Sequence, residues 1–336
     1  VWTVAERPVA FGAIWRCACT LLYAVMSEAE PGNVTKAGAG SKPDILVISD
    51  GKAGHYNQSL GLAEALCRLH PAARLEEQPA TRGSLSLVRA LLPRFRDPQA
   101  PALVIGAGHG THANLLQWRR RGSRAIVLMR PSLPLRFFDL CIEPRHDGGL
   151  ENERRLLSKG PLNRIRPSAR RSDEGVLLIG GPSPHFEWNS QMLLGQIARI
   201  CDGERRWLLS TSRRTPAAFL PALRELELPG LDIHDATALP AGWLAEKLSE
   251  AAQSWVTPDC ASMVYEALSG GGAVGLFDLP PAADSRVAAG IQSLVSQQLC
   301  TTFAAFDTGT PLRAPQQPLA EADRIARLIE QRGWLP

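Results

Sequence analysis

Cysteine, charge imbalance and uninterrupted apolar sequence are all scarce in this chain, and each scarcity removes a class of protein. Its 336 residues hold seven cysteines, an odd number scattered among apolar runs, so no disulfide framework is expected and a reducing cytosol fits. Cys17 and Cys19 lie close together, but no second pair or Cys/His group at zinc spacing accompanies them, which speaks against a structural zinc. No Asp-x-Asp sequence occurs, and Asp232 and Asp235 are a poor substitute for that metal-holding pair. Neither a metal nor a cofactor is therefore expected. A formal charge of +4 is too small to imply nucleic acid as a partner. The apolar stretch from Val9 to Met26 carries Arg16 at its middle, where a bilayer centre penalises arginine by about 2.5–3.5 kcal/mol, and no small-residue cleavage site follows. Residues 1–43 are read as a disordered or non-native extension: either translation begins at Met26, or the stretch is a weak membrane anchor, and Gly32 to Lys42 has a disordered composition in both cases.

The remainder is long enough for two cores, and 45% hydrophobic with 21% charged residues suits a soluble globular chain. Short apolar runs at Ile45–Ser49, Ala102–Gly106, Ala125–Met129 and Asp139–Ile142 read as strands. Helical patterns follow over about 57–70, 84–92 and 111–121. Near-continuous apolar strands separated by helices imply a parallel sheet covered on both faces. Pro161, Pro167 and several arginines interrupt the pattern over 161–174, which reads as a linker. Alternation resumes from Val176 to a last helix near Glu321–Arg332. The expected fold is α/β, two Rossmann-like domains facing across a cleft: an acceptor domain over 44–160 and a donor domain over 175–336, whose last helix could pack back on the first domain. Arg154, Arg155, Lys159, Arg164, Arg166, Arg170 and Arg171 cluster around the linker, suited either to anionic lipid or phosphorylated ligands or simply to a solvated connection.

Chemistry is densest at Asp50-Gly51-Lys52-Ala53-Gly54-His55, between the first strand and a helix opening with Asn57-Gln58-Ser59. A strand, a glycine turn and a helix N-terminus direct backbone N–H groups at whatever lies above, so a polar or anionic ligand is expected. The turn is not a Walker A loop, because Lys52 precedes Gly54 and no Ser or Thr follows the lysine.

That segment resembles the signature of the mitochondrial-fission ELM family, whose bacterial members are regarded as glycosyltransferases of the two-domain GT-B type. Further matches follow in family order: Gly106-Ala107-Gly108-His109 with Thr111, Pro131-Ser132-Leu133-Pro134 with Phe138-Asp139-Leu140, and His146-Asp147. The second half adds Gly180-Gly181-Pro182-Ser183, Thr211-Ser212-Arg213-Arg214-Thr215-Pro216, and Thr257-Pro258-Asp259 with Ser262, Met263 and Glu266. The resemblance implies a glycosyltransferase that moves a sugar from a nucleoside-diphosphate-sugar to a glycolipid or glycan hydroxyl of the cell envelope. It also implies a cytoplasmic protein, at the inner face of the inner membrane if it touches lipid.

On the expected donor side, Asp259 can cap a helix whose N-terminus could hold a diphosphate, with Ser262 as an extra donor. Glu266, four residues beyond Ser262 and so on the same face, can accept hydrogen bonds from ribose hydroxyls, the role such a glutamate has in GT-B enzymes. An ordinary capped helix packing Met263 into the core is the alternative. Arg213 and Arg214, directly after a strand, could neutralise the departing diphosphate in place of a metal ion, or be a solvated pair. Gly180 and Gly181 permit close approach of backbone to ligand, and His185 is either a cleft residue or a loop histidine. On the acceptor side, His55 suits a general base near neutral pH, with Asp50 as the other candidate; either could instead orient its partner or cap the helix. Lys52, Gly54, Gln58, Gly108, His109, Thr111, His146 and Asp147 are expected in the cleft from the family match. Tyr56, Asn189, Cys260 and Tyr265 depart from the family pattern. Two rival readings remain: a UDP-sugar epimerase-like enzyme on the same fold, and a non-enzymatic adaptor at a membrane, as the link of plant relatives with fission suggests.

Overall fold

Ile45, Val47, Leu103, Ile105, Ile126 and Leu128 face one side of a parallel sheet, and Leu46, Ile48, Val104 and Val127 face the other. Burial on both sides explains why these runs lack polar alternation; each such side chain withdrawn from water contributes about 1.5–3 kcal/mol. The chain was analysed as a computed structural model that describes residues 42–81, 95–168, 173–240 and 242–335, without the side chain of His146. The helix expected over 84–92 and the readings of residues 1–41 lie outside the described residues.

The first half runs β1 (Ile45–Ser49), α1 (Ala53–Leu69), β2 (Leu75–Pro79), β3 (Leu103–Ala107), α2 (His112–Arg120), β4 (Arg124–Leu128), β5 (Leu140–Pro144) and β6 (Arg155–Ser158). Its six strands lie in the order β2-β1-β3-β4-β5-β6, all parallel. The second half runs β7 (Gly175–Leu178), α3 (Ser190–Ile200), β8 (Trp207–Ser210), α4 (Phe219–Arg224), β9 (Leu231–His234) and α5 (Trp243–Glu250). It continues with β10 (Gln253–Val256), α6 (Ala261–Ser269), β11 (Ala273–Leu276), α7 (Arg286–Ser296), β12 (Thr301–Thr302) and α8 (Phe303–Asp307). These strands form a second parallel sheet in the order β12-β11-β10-β7-β8-β9. The expected pair of Rossmann-like halves is the observed architecture. β2, β6 and β12, three of the four edge strands, escaped sequence reading, whereas the fourth, β9, was expected at Leu231–His234; Leu-Glu-Glu-Gln-Pro of β2 needs no second apolar face, and its charges discourage edge pairing.

The last helix, α9 (Glu321–Glu330), returns to the first half, where Ala322, Ile325, Ala326 and Ile329 enter the core beneath β1 and β3, beside α1. The connection between halves is threaded tightly. Leu162 belongs to the first core and Ile165 to the second. Asn163 donates to the Tyr265 carbonyl and the Ser269 hydroxyl, while the Tyr265 hydroxyl donates to the Lys159 carbonyl at 2.9 Å. Gly61 lets α1 lie directly on this strap, since a Cβ there would strike the Asn163 carbonyl. The family departures at Tyr265, Asn189 and Tyr56 thus have structural work: Tyr265 ties the strap, Asn189 caps α3 through the Met192 N–H, and Tyr56 donates to Glu77.

Candidate active site

β1 sits between β2 and β3, so the chain leaves β1 and β3 toward opposite neighbours and opens a crevice at their carboxyl ends. Asp50 is the first residue in that crevice, Gly51 turns the chain with φ +83°, and His55 occupies the first turn of α1. The Asp50 carboxylate lies 2.9 Å from His55 Nδ1, and its other oxygen accepts the Lys52 backbone N–H at 3.1 Å. Burial by itself would raise the Asp50 pKa, but these hydrogen bonds and the nearby positive charges together bring it below the usual value. Asp50 is 4% exposed and His55 18%, so the acid is enclosed while the imidazole keeps an open edge. With Nδ1 engaged by the carboxylate, Nε2 is the nitrogen left for chemistry. The β3 turn is built around this pair: a Cβ on Gly108 (φ +75°) would collide with the His55 ring, and one on Gly110 would lie 3.0 Å from Asp50 Cβ.

Other expected acceptor-side residues divide. Lys52, Gly54 and His109 are exposed around the pair, and Asp147 lies in the turn after β5. Gln58 is buried on α1. Thr111 corrects the expectation of a cleft residue: it is fully buried, and its hydroxyl donates to the Gly108 carbonyl to hold the turn. Phe138 and Asp139, though part of the family pattern, are structural: Phe138 is a core side chain and Asp139 pairs with Arg119. His112 gave no sequence signal. It is buried against Phe138, 3.4 Å from the Ser132 hydroxyl, and burial, with His109 nearby, lowers its pKa to about 4.

The corresponding crevice of the second sheet opens between β7 and β10. Thr257, fully buried, accepts the Gly180 N–H, and Asp259 accepts the Gly181 N–H at 3.1 Å. Arg214 completes a closed cluster: one terminal nitrogen reaches Asp259 Oδ2 at 2.7 Å, the other the Gly181 and Pro182 carbonyls. Thr215 adds a hydroxyl bond to the Gly180 carbonyl. Four expectations change here. Asp259 does not cap α6, whose N-cap is Cys260; its carboxylate is consumed by Gly181 and Arg214, with Oδ1 lacking a partner. Arg214, expected with Arg213 to face the diphosphate, is instead engaged by Asp259 and its own loop, while Arg213 is exposed on that loop. Gly180 and Gly181 are small for an internal reason, since Cβ atoms there would meet the Asp259 carboxylate and the Arg214 backbone. Ser183 bonds the His185 N–H inside its own loop, and His185 contacts Ser285, the loop role of its two alternatives.

The first turn of α6 carries Ala261, Ser262 and Met263, whose N–H groups lack intrahelical partners. Ser262 is partly exposed, while the Met263 side chain packs on the second core. One face further, Glu266 lines a cavity of about 250 Å³ with Asn57 and Arg164 from the first-half side and Ser210, Thr211, Leu239 and Ala245 from the second. Glu266 keeps partial solvent contact through this opening, yet dense surrounding protein desolvates its carboxyl and raises its pKa to about 7. Asn57, two residues beyond His55, brings the N-terminal part of α1 to this cavity. Arg164 stood in the basic cluster and Thr211 in the family-matched motif without being assigned to the site; Ser210 had only its place at the end of β8 beside that motif. Among the described residues, no group of three or more His, Cys, Asp or Glu side chains could hold a metal ion, and no helix is long and apolar enough to cross a membrane.

Comparison with known proteins bears on the family and the fold. The sequence model described as mitochondrial fission ELM1 matches residues 53–333. The uncharacterized protein RP120 of Rickettsia prowazekii (strain Madrid E) is 22% identical over 348 residues, covering 85% of this chain and 98% of that protein. Among solved structures, the glycotransferase of kitacinnamycin matches with TM-score 0.50 and 15% identity, covering 88% of this chain and 100% of its own. A Listeria monocytogenes structure assigned as a UDP-N-acetylglucosamine 2-epimerase matches with TM-score 0.50 and 11% identity, over 87% of this chain and 97% of its own. At such identities the likeness concerns the fold, which is GT-B-like.

Proposed function

The chain belongs to the mitochondrial fission ELM1 family, and from that premise we propose that it transfers a glycosyl group from a nucleoside-diphosphate-sugar to an acceptor hydroxyl. The observation carrying this reading is the Asp50–His55 pair at 2.9 Å on the first crevice, on the helix whose next residues reach the Glu266 cavity. Asp50 holds His55 in the Nδ1–H form, and His55 Nε2 takes the acceptor proton as the acceptor oxygen attacks the anomeric carbon. The bond from that carbon to the β-phosphate oxygen breaks, and the nucleoside diphosphate leaves with its electron pair. Glu266 accepts the ribose hydroxyls, while the N–H groups of the first turn of α6, Ser262 and the exposed Arg213 face the diphosphate; Arg214 is occupied in holding the loop. No metal or cofactor is needed in this scheme. In this proposal the acceptor is an envelope glycolipid at the cytoplasmic side, as the family resemblance implies.

The test is a thermal-shift series with UDP, GDP, ADP and CMP, followed by nucleotide release from the matching nucleotide-sugar with and without envelope glycolipid. Stabilisation by one nucleotide and acceptor-dependent release, lost in His55→Gln without loss of donor binding, is the expected result. Turnover of the nucleotide-sugar without acceptor would replace this reading with the epimerase one. Failure of every nucleotide to bind would leave the adaptor.

A further inference from the structure

A second opening lies between the halves on the other side of α6, where Tyr265 rather than Glu266 faces it. It measures about 380 Å³ and shares no lining residue with the Glu266 cavity. Arg145 from the turn after β5 and Lys159 from the end of β6 enter it from the first half; Arg286, Ser293 and Gln297 enter along α7 of the second. No carboxylate lines it. The carboxylate that touches this stretch, Glu321, accepts the Lys159 backbone N–H and is itself paired with Arg324 at 2.7 Å.

Elsewhere along the junction the arginines have carboxylate partners: Arg164 with Glu64, Arg68 and Arg166 with Asp323, Arg155 with Glu143. Among the described residues, the side chains of Arg145, Lys159 and Arg286 have none. Three cations converging without a counter-charge repel one another, and the repulsion ends when an anion with several acceptor oxygens enters. Ser293 and the α7 C-cap residue Gln297 also line the opening; the Gln297 amide donates to the Ser293 hydroxyl at 2.9 Å, which leaves the Ser293 O–H and the second amide hydrogen as neutral donors.

We propose that this opening binds a phosphate or pyrophosphate group, gripped by Arg145 and Lys159 of one half and Arg286 of the other, so that occupancy ties the two halves together. Its occupant is the phosphate of an anionic lipid headgroup or a free phosphate compound. The site stands apart from the donor cavity and does not depend on glycosyl transfer.

Isothermal titration of the full chain with inorganic pyrophosphate at low ionic strength tests it. Wild type binds one equivalent at this opening beyond any held by the first turn of α6 and Arg213, with affinity falling as salt rises. The exposed double change Arg145→Gln/Arg286→Gln weakens binding by at least roughly tenfold, the scale of one lost charge-assisted hydrogen bond. Lys159→Gln alone weakens it less. A nucleotide-sugar binds that double variant as it binds wild type, whereas Glu266→Gln affects the nucleotide-sugar and spares pyrophosphate, which separates failure here from failure of the donor assignment. Flotation with phosphatidylcholine vesicles, with and without phosphatidic acid, distinguishes the sources. Phosphatidic-acid-dependent binding displaced by pyrophosphate identifies a lipid headgroup; pyrophosphate binding without it identifies a free compound. Absence of pyrophosphate binding, or equal affinity in wild type and the double variant, overturns the proposal.

Discussion

Glutamate 266 should make this protein less stable as pH rises, and Glu266→Gln should abolish that penalty. Its carboxyl titrates near 7 in the folded chain against 4.5 for the free group, with desolvation as the cause. Between those values the folded state holds a proton that the unfolded state has released, so stability falls with pH across this window and is flat for this group below and above it. At about 1.4 kcal/mol per pKa unit, the shift corresponds to roughly 3 kcal/mol, and solvent contact through the cavity makes the realised figure somewhat smaller. Urea unfolding of wild type and Glu266→Gln at pH 4 and pH 8 reads this directly, because every other titrating group cancels in the difference. The variant should gain about 2–3 kcal/mol relative to wild type between the two conditions. Under the proposed function the same group also sets nucleotide-sugar affinity. Ribose hydroxyls donate, so they favour the ionised carboxylate, whose fraction rises from about one in eleven at pH 6 to about ten in eleven at pH 8. A nucleotide-sugar, whose phosphates do not titrate in this range, should therefore bind wild type about tenfold more tightly at pH 8, and Glu266→Gln with a flat profile. A stability difference between variant and wild type that is the same at pH 4 and pH 8, or a wild-type affinity independent of pH, would refute the reasoning.

Asp50→Asn should reduce kcat by about 10²–10⁴ with little change in donor KM, because the amide can no longer enforce the Nδ1–H form of His55; steady-state kinetics at several pH values would show it. Gly61→Ala should destabilise by about 1–2 kcal/mol in urea unfolding, since overpacking against the Asn163 backbone outweighs the better helix propensity of alanine, whereas Gly54→Ala, with open space around it, should be neutral or stabilising. Arg214→Ala should cost roughly 2–4 kcal/mol by leaving the buried Asp259 carboxylate without its cation, and adding Asp259→Asn should recover part of the loss in a double-mutant cycle.

The two-sheet fold was legible because a sheet buried on both faces must advertise itself: Ile45-Leu46-Val47-Ile48 leaves no polar side for a reader to misplace. Edge strands obey a weaker rule, so Leu75–Pro79 and Thr301–Thr302 looked like connection. The nearness of Asp50 to His55 was legible for a similar reason, being fixed within one turn of chain. What could not be read was any partnership spanning distant segments. That Asp259 serves Arg214 and Gly181 rather than its own helix depends on β7 and β10 lying side by side, which strand order decides and local spacing does not. Likewise Arg164 lines the Glu266 cavity only because Leu162 and Ile165 anchor the strap in two different cores.

The two crevices repeat one construction with opposite consequences. In each, a glycine turn after one strand makes room for a carboxylate from the next loop or strand end: Gly110 for Asp50, Gly180 for Asp259. Asp50 spends its charge on an imidazole that remains 18% exposed, so the first half ends in a group able to exchange a proton with a ligand. Asp259 spends its charge on an arginine whose remaining donors are turned back onto the Gly181 and Pro182 carbonyls, so the second half ends in a rigid, internally satisfied loop. Under the proposed function, proton chemistry falls to the first half, and the second half meets the diphosphate with what its own network leaves: the first turn of α6, Ser262 and Arg213. Changing Arg214 should on this argument act mainly on stability, and changing Arg213 mainly on the affinity for the diphosphate.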